Sequence, residues 1–271
     1  MALRGSLKNM KLSISNIAWS HEKDTLIYKM MSDWGYNGLE IAPTRIIQES
    51  PYDHISEAYS WKNELKSKYG FDISSMQSIW YGRKENLFGT KKERETLLSY
   101  SKKAVLYAES LGCGNIVFGC PRNRVLPEGV DAYSSLDFFR EIGNFAYEHS
   151  TVFAIEANPV IYGTNFINTT GEAMDLIEAV DSKGFMLNLD LGTMIENDES
   201  VSIIKDKVHL FNHIHVSEPG LKTIEHRDMH KEIAEVLRDE KYSKYVSIEI
   251  GKQDDMNEIN GILEYVKKVF G

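Results

Sequence analysis

The 271-residue sequence predicts one α/β domain, a (β/α)₈ TIM barrel, and three observations carry that expectation. Eight short β-rich runs alternate with long segments of helical apolar spacing. Glycines stand at the helix-to-strand joints, and no Pro/Gly/Ser-rich linker or low-complexity tract interrupts the series. Eight strand–helix units in about 270 residues match the size of such a barrel. The main competitor, a doubly wound open sheet, has fewer strands and a phosphate loop; neither G-x-G-x-x-G nor a Walker A sequence is present.

The expected strands are 11–16, 37–42, 71–77, 114–118, 152–156, 185–190, 209–216 and 245–250. Residues 1–10 are expected to form a loosely ordered leader before them, and 1–271 a single domain. Between the strands, apolar residues recur at helical spacing over 25–34, 58–69, 93–111, 136–149 and 173–180, and residues 256–270 supply the last helix. Trp34-Gly35-Tyr36, Tyr69-Gly70-Phe71 and Leu111-Gly112 each put a glycine where a left-handed helix cap belongs.

Composition narrows the function classes. With 42% hydrophobic and 26% charged residues the chain has the makings of a large core, which excludes disorder. A formal charge of −9 is the wrong sign for a surface that embraces phosphate backbones, so nucleic acid is not the expected partner. No apolar run is long enough to span a membrane, and Arg4, Lys8 and Lys11 fall where a signal peptide needs an apolar stretch. Cys113 and Cys120 enclose a strand that holds them too far apart to form a disulfide. Together these features predict a soluble, cytoplasmic protein.

In a (β/α)₈ barrel the chemistry sits at the C-terminal strand ends. The last four strands end in FAIE, closing on Glu156; MLNLD, closing on Asp190; HIHV, carrying His215; and SIEIG, carrying Glu249. Residues two apart on a strand share a face. Glu156 therefore shares one with Ala154, Asp190 with Asn188, His215 with His213 and Glu249 with Ser247, while Ile155, Leu189, Ile214 and Ile248 face the helices. A strand-end acid can instead cap the next helix. Four on consecutive strands favour a shared site, and a divalent cation is the natural way to keep three converging carboxylates ionised. An oxygen-rich set with one imidazole suits Mn²⁺ best, or Mg²⁺ or Co²⁺. His213, one pair deeper, reads as a hydrogen-bonded support for the site.

The segments AIEANP, GTNFINTTGEAMDLIEAV, NLDLGTM, HIHVSEP and SIEIG resemble the corresponding strands of the xylose isomerase-like superfamily of sugar isomerases and epimerases, especially its tagatose/psicose 3-epimerase branch; GLEIAP and SSMQSIWYG fit more loosely. The resemblance implies a four-ligand metal site that maps onto Glu156, Asp190, His215 and Glu249, with Glu156 and Glu249 also serving as the acid/base pair. Barrels of this kind often form homo-oligomers. The pattern departs at substrate-gripping positions: Thr193 stands for a histidine, the run from Ser217 to Leu221 lacks an arginine, and Gly163 replaces a glutamate.

The expected activity is thus a metal-dependent epimerase or isomerase acting on a ketose or keto-sugar through an ene-diolate, with a small-molecule sugar as partner. A lyase or dehydratase expelling a β-leaving group from the same enolate is the alternative, and an endonuclease IV-like nuclease fits less well. Trp19, His21, Glu40, Trp80 and Glu218 are the expected substrate contacts, with Tyr81 as a further aromatic face. Arg45, Arg83, Arg122 and Arg124 are candidates to hold a substrate phosphate or carboxylate.

Overall fold

The computed structural model describes residues 9–271. Eight parallel strands close into a barrel in chain order: β1 (Lys11–Ser15), β2 (Gly38–Ile41), β3 (Asp72–Met76), β4 (Ile116–Phe118), β5 (Phe153–Ile155), β6 (Phe185–Asp190), β7 (Phe211–Val216) and β8 (Tyr245–Ile248), with β8 pairing back onto β1. Of the leader expected over residues 1–10, positions 1–8 lie outside the described residues, and Met10 is already buried in the core.

The helices are α1 (Asp24–Asp33), the single turn α2 (Pro43–Ile46), α3 (Ile55–Tyr69), α4 (Lys91–Leu111), α5 (Leu136–Glu148), α6 (Thr170–Val180), the short α7 (Leu191–Glu196), α8 (Asp228–Asp239) and α9 (Met256–Phe270). Gly70 and Gly112 cap α3 and α4 at φ +77° and +64°, a conformation in which a side chain would be strained. Capping boxes start α4 at Thr90 and α6 at Thr169, each answered by a glutamate three residues on. Every strand but β6 is shorter than expected; at the ends that bear on the site, β5 stops at Ile155 and β8 at Ile248. Glu156 and Glu249 therefore sit one residue past their strands, on the rim itself.

Strand parity separates two layers. Leu12, Ile14, Leu39, Phe153, Phe185, Leu189, Ile214 and Ile248 are buried among the apolar residues of the core. The opposite parity is polar: Ser13, Ser15, Glu40, Asn188, His213, His215 and Ser247 are all buried as well. Ser13 lies 2.5 Å from Ser74 and 3.1 Å from Ser247, hydroxyl to hydroxyl, tying β1 to β3 and β8 inside the barrel. This interior is unlike the layers of branched aliphatics that usually fill such barrels. Small hydroxyls leave room and hydrogen-bonding capacity beneath the rim. Register slips between β2 and β3 and between β6 and β7 displace Ser74 and set Asp190 opposite His215.

Candidate metal centre

Glu156, Asp190, His215 and Glu249 converge at the C-terminal mouth, one donor atom from each lying within 4.8 Å of every other. His215 Nδ1 stands 2.8 Å from Glu156 Oε1 and 3.2 Å from Glu249 Oε2, so the imidazole sits between the two glutamates. Its other nitrogen, Nε2, lies 2.8 Å from Glu40 Oε2. Such a carboxylate behind an imidazole fixes which nitrogen faces the site.

Each carboxylate is held by specific neighbours. Glu156 accepts from Asn188 Nδ2 at 2.7 Å and from Asn158 Nδ2 at 3.2 Å. Glu249 accepts from Gln77 Nε2 at 2.8 Å, and that amide also donates to Ser15. Asp190 accepts from the Thr193 amide at 2.6 Å, from the Thr193 hydroxyl at 2.8 Å and from Ser217 Oγ. It thus caps α7 as well as facing the cluster, combining the two roles open to a strand-end acid. A Cβ on Gly119 would come within 2.9 Å of Glu156 Oε2, so a side chain there would push the carboxylate aside.

The electrostatics are those of a site short of positive charge. Burial, reinforced by Glu156, pushes the Asp190 carboxyl up to about 6. Burial likewise pushes Glu249 up to about 7, against the pull of His215. Burial alone would depress His215, yet the charges of Glu40 and Glu249 and the bonds to Glu156 and Glu249 raise it well above the usual imidazole range. Glu40 is held far below the carboxylate range: the two imidazoles outweigh the burial that opposes ionisation. Without a metal, the protonated imidazole and carboxyl protons neutralise the cluster. A divalent ion fits the same place by chemistry: three carboxylates and one imidazole nitrogen, buried and converging.

The three carboxylates, Glu156, Asp190 and Glu249, border a cavity of about 170 Å³ whose walls include Gln77, Ser78, Gly119, Cys120, Asn158, Tyr162, Ser217 and Leu221. Tyr162 spans the mouth, its hydroxyl accepting from the Gly220 amide at 2.8 Å.

A sequence profile of the xylose isomerase-like TIM barrel family matches residues 29–268. The chain belongs to this family. No curated protein matches it significantly in sequence. Among solved structures, the barrel resembles a D-psicose 3-epimerase from Clostridium cellulolyticum H10 crystallised with D-tagatose, at a TM-score of 0.78 and 18% identity over 96% of this chain and 99% of that one. It also resembles a 3-keto-D-glucoside 4-epimerase from E. coli, at 0.76 and 18% identity over 96% and 99%. An AP endonuclease, family 2, from Brucella melitensis superposes at 0.71 with 16% identity over 97% and 100%. At these identities the likeness is one of fold.

The expected substrate contacts separate. Trp19 and Trp80 are not among the residues that line the cavity. The Trp19 indole is buried and donates to Asp24 Oδ1 at 2.7 Å, and Trp80 is buried against Phe118 and Phe138 with its indole N–H on Ser101 of α4. Both rings pack into the core, so the stacking expectation is revised for these two. His21 is exposed and paired with Asp24, whereas Tyr81 is exposed beyond β3. Glu40 lies beneath the centre, between His213 (3.1 Å) and His215 (2.8 Å), instead of facing a ligand. Glu218 is buried and bound by Arg227 through both carboxylate oxygens. Arg45 and Arg83 are likewise committed, to Asp24 and Glu85. Gln77, Asn158, Asn188 and Tyr162 were missed in the sequence. Parity places Asn188 under Asp190, but an amide there carries no signal of its own.

No helix among the described residues is long and apolar enough to cross a membrane.

Proposed function

We propose that the chain is a divalent-metal-dependent epimerase or isomerase of a ketose or keto-sugar. The observation that carries this reading is the convergence of four donors from four consecutive strands, with a glutamate on either side of His215 Nδ1. The epimerase activity named for two of the neighbouring structures supports the same class.

Glu156, Asp190, His215 and Glu249 would hold the ion, Mn²⁺ best by donor type, and a bound ion supplies Lewis-acid polarisation of a carbonyl and its neighbouring hydroxyl. The chain's own residues handle the proton. One of Glu156 and Glu249 takes it from the carbon beside the carbonyl, and the other returns one to the opposite face, inverting the centre. Asn158 and Asn188 on Glu156, and Gln77 on Glu249, keep the carboxylates from turning.

The test is incubation of keto-sugars with the Mn²⁺-loaded protein in D₂O, followed by chelation and NMR. The expected result is deuterium at one carbon next to the carbonyl and a product otherwise equal in mass to the substrate. A product lighter by water would replace this reading with a dehydratase. No exchange in any keto-sugar would remove both.

A further inference from the structure

Arg124 follows the single turn Pro121–Asn123 after β4 and is completely buried, yet among the described residues it makes no ion pair. Its Nη2 donates to the backbone carbonyl of Glu156 at 2.9 Å and to Asn158 Oδ1 at 2.8 Å. Nε and Nη1 have no partner among the described residues, and the Phe118 ring lies 5.7 Å from the guanidinium carbon. A buried, unpaired cation is costly, and an apolar side chain on the same shelf would suit the core better. Burial pulls its pKa down to about 10, which leaves it charged at neutral pH. Its buried nitrogens are closed to a substrate anion, so the phosphate- or carboxylate-holding role expected from sequence does not explain it.

Its contacts suggest what does. Asn158 has its oxygen engaged by Arg124, so its Nδ2 points the other way, to Glu156 Oε2 at 3.2 Å and to the Ala157 carbonyl at 3.1 Å. Turned over, the amide would face donor to donor at Arg124 and oxygen to oxygen at Glu156. We propose that Arg124 is a positioning residue for Glu156: by holding the Asn158 oxygen it aims the Asn158 N–H at Oε2 and fixes the carboxylate toward the reacting carbon. The inference rests on Glu156 as a proton carrier.

Arg124→Met, which keeps length and removes charge and donors, tests it. The expected result is an unchanged or higher Tm together with a fall in kcat for proton exchange of at least about tenfold and little change in KM. A lower Tm with unchanged kcat would assign Arg124 to the fold and overturn the inference. In Arg124→Met the further change Asn158→Ala should cost little more, because the arginine acts through that amide; multiplied losses would overturn this route. Arg124→Lys retains a charged donor and should recover part of the exchange rate, and a variant as slow as Arg124→Met would count against the donor role. A crystal structure of Arg124→Met decides independently of any substrate. Asn158 or the Glu156 carboxylate should have turned, and both unmoved would overturn the inference even if the enzyme reading had already failed for lack of exchange.

Discussion

The two halves of the barrel contribute different things to its mouth. Strands β5 to β8 carry the four donors, Glu156, Asp190, His215 and Glu249. Strands β2 to β4 and the loops after them carry groups that hold those donors: Glu40 on His215, Gln77 on Glu249, and Arg124 on Asn158 and the Glu156 backbone. Within the second half, Asn188 and Asn158 bind the Glu156 carboxylate, and Thr193 and Ser217 hold Asp190. Glu249 takes its amide donor from Gln77 in the other half, whereas Asp190 is held by the helix-capping bonds at its own strand end. Donors set which chemistry is available; their holders set the geometry in which it runs.

The largest effect should come from the donors that also move protons. Glu249→Gln and Glu156→Gln each leave an amide oxygen at the site but remove one proton carrier, so inversion should fall by about 10²–10⁴-fold. Each variant should still exchange a proton of one epimer with D₂O, and the two variants should retain opposite epimers. Full inversion in either would strike that residue from the mechanism and blur the division between the halves.

A holder should cost less. Glu40→Ala leaves all four donors in place but frees the His215 ring, and Mn²⁺ affinity measured by calorimetry should fall by about 10–100-fold. A loss as large as that of His215→Ala would make Glu40 a ligand in its own right. An unchanged affinity would show that His215 needs no holder.

The smallest effect is a gradient with pH. Asp190 near 6 and Glu249 near 7 are both raised by burial, and His215 is raised by its carboxylate neighbours. A group whose pKa is higher folded than unfolded adds stability below its unfolded pKa and loses it as pH rises through the folded one. The metal-free protein should therefore lose stability as pH rises from about 4 through 7, and further as His215 gives up its proton. A divalent ion displaces the same protons, so its affinity should climb by about tenfold per pH unit for each proton displaced, and go on climbing above 7 while His215 still holds its own. Thermal melts with and without Mn²⁺ should diverge most at the alkaline end of that window. Divergence that shrinks with rising pH would mean that these groups do not bind the ion.

The sequence by itself determined the eight strands and their order, most of the helices, and the identity of the acids and the histidine at the last four strand ends. These are local properties: apolar periodicity, glycine at helix ends, and parity within a strand. The helix α8 (Asp228–Asp239) and the rim position of Glu156 and Glu249, just beyond strands shorter than expected, were already less legible. Only the tertiary structure decided what each donor touches. Glu40 is 175 residues from His215 and Gln77 is 172 from Glu249, pairings created by closing β8 onto β1. It also decided the fate of Trp19 and Trp80, whose rings turn into the core instead of the mouth. The direction of a side chain leaving a strand end depends on the loop and helix packed beside it, and neither is encoded by the spacing of the residues around it.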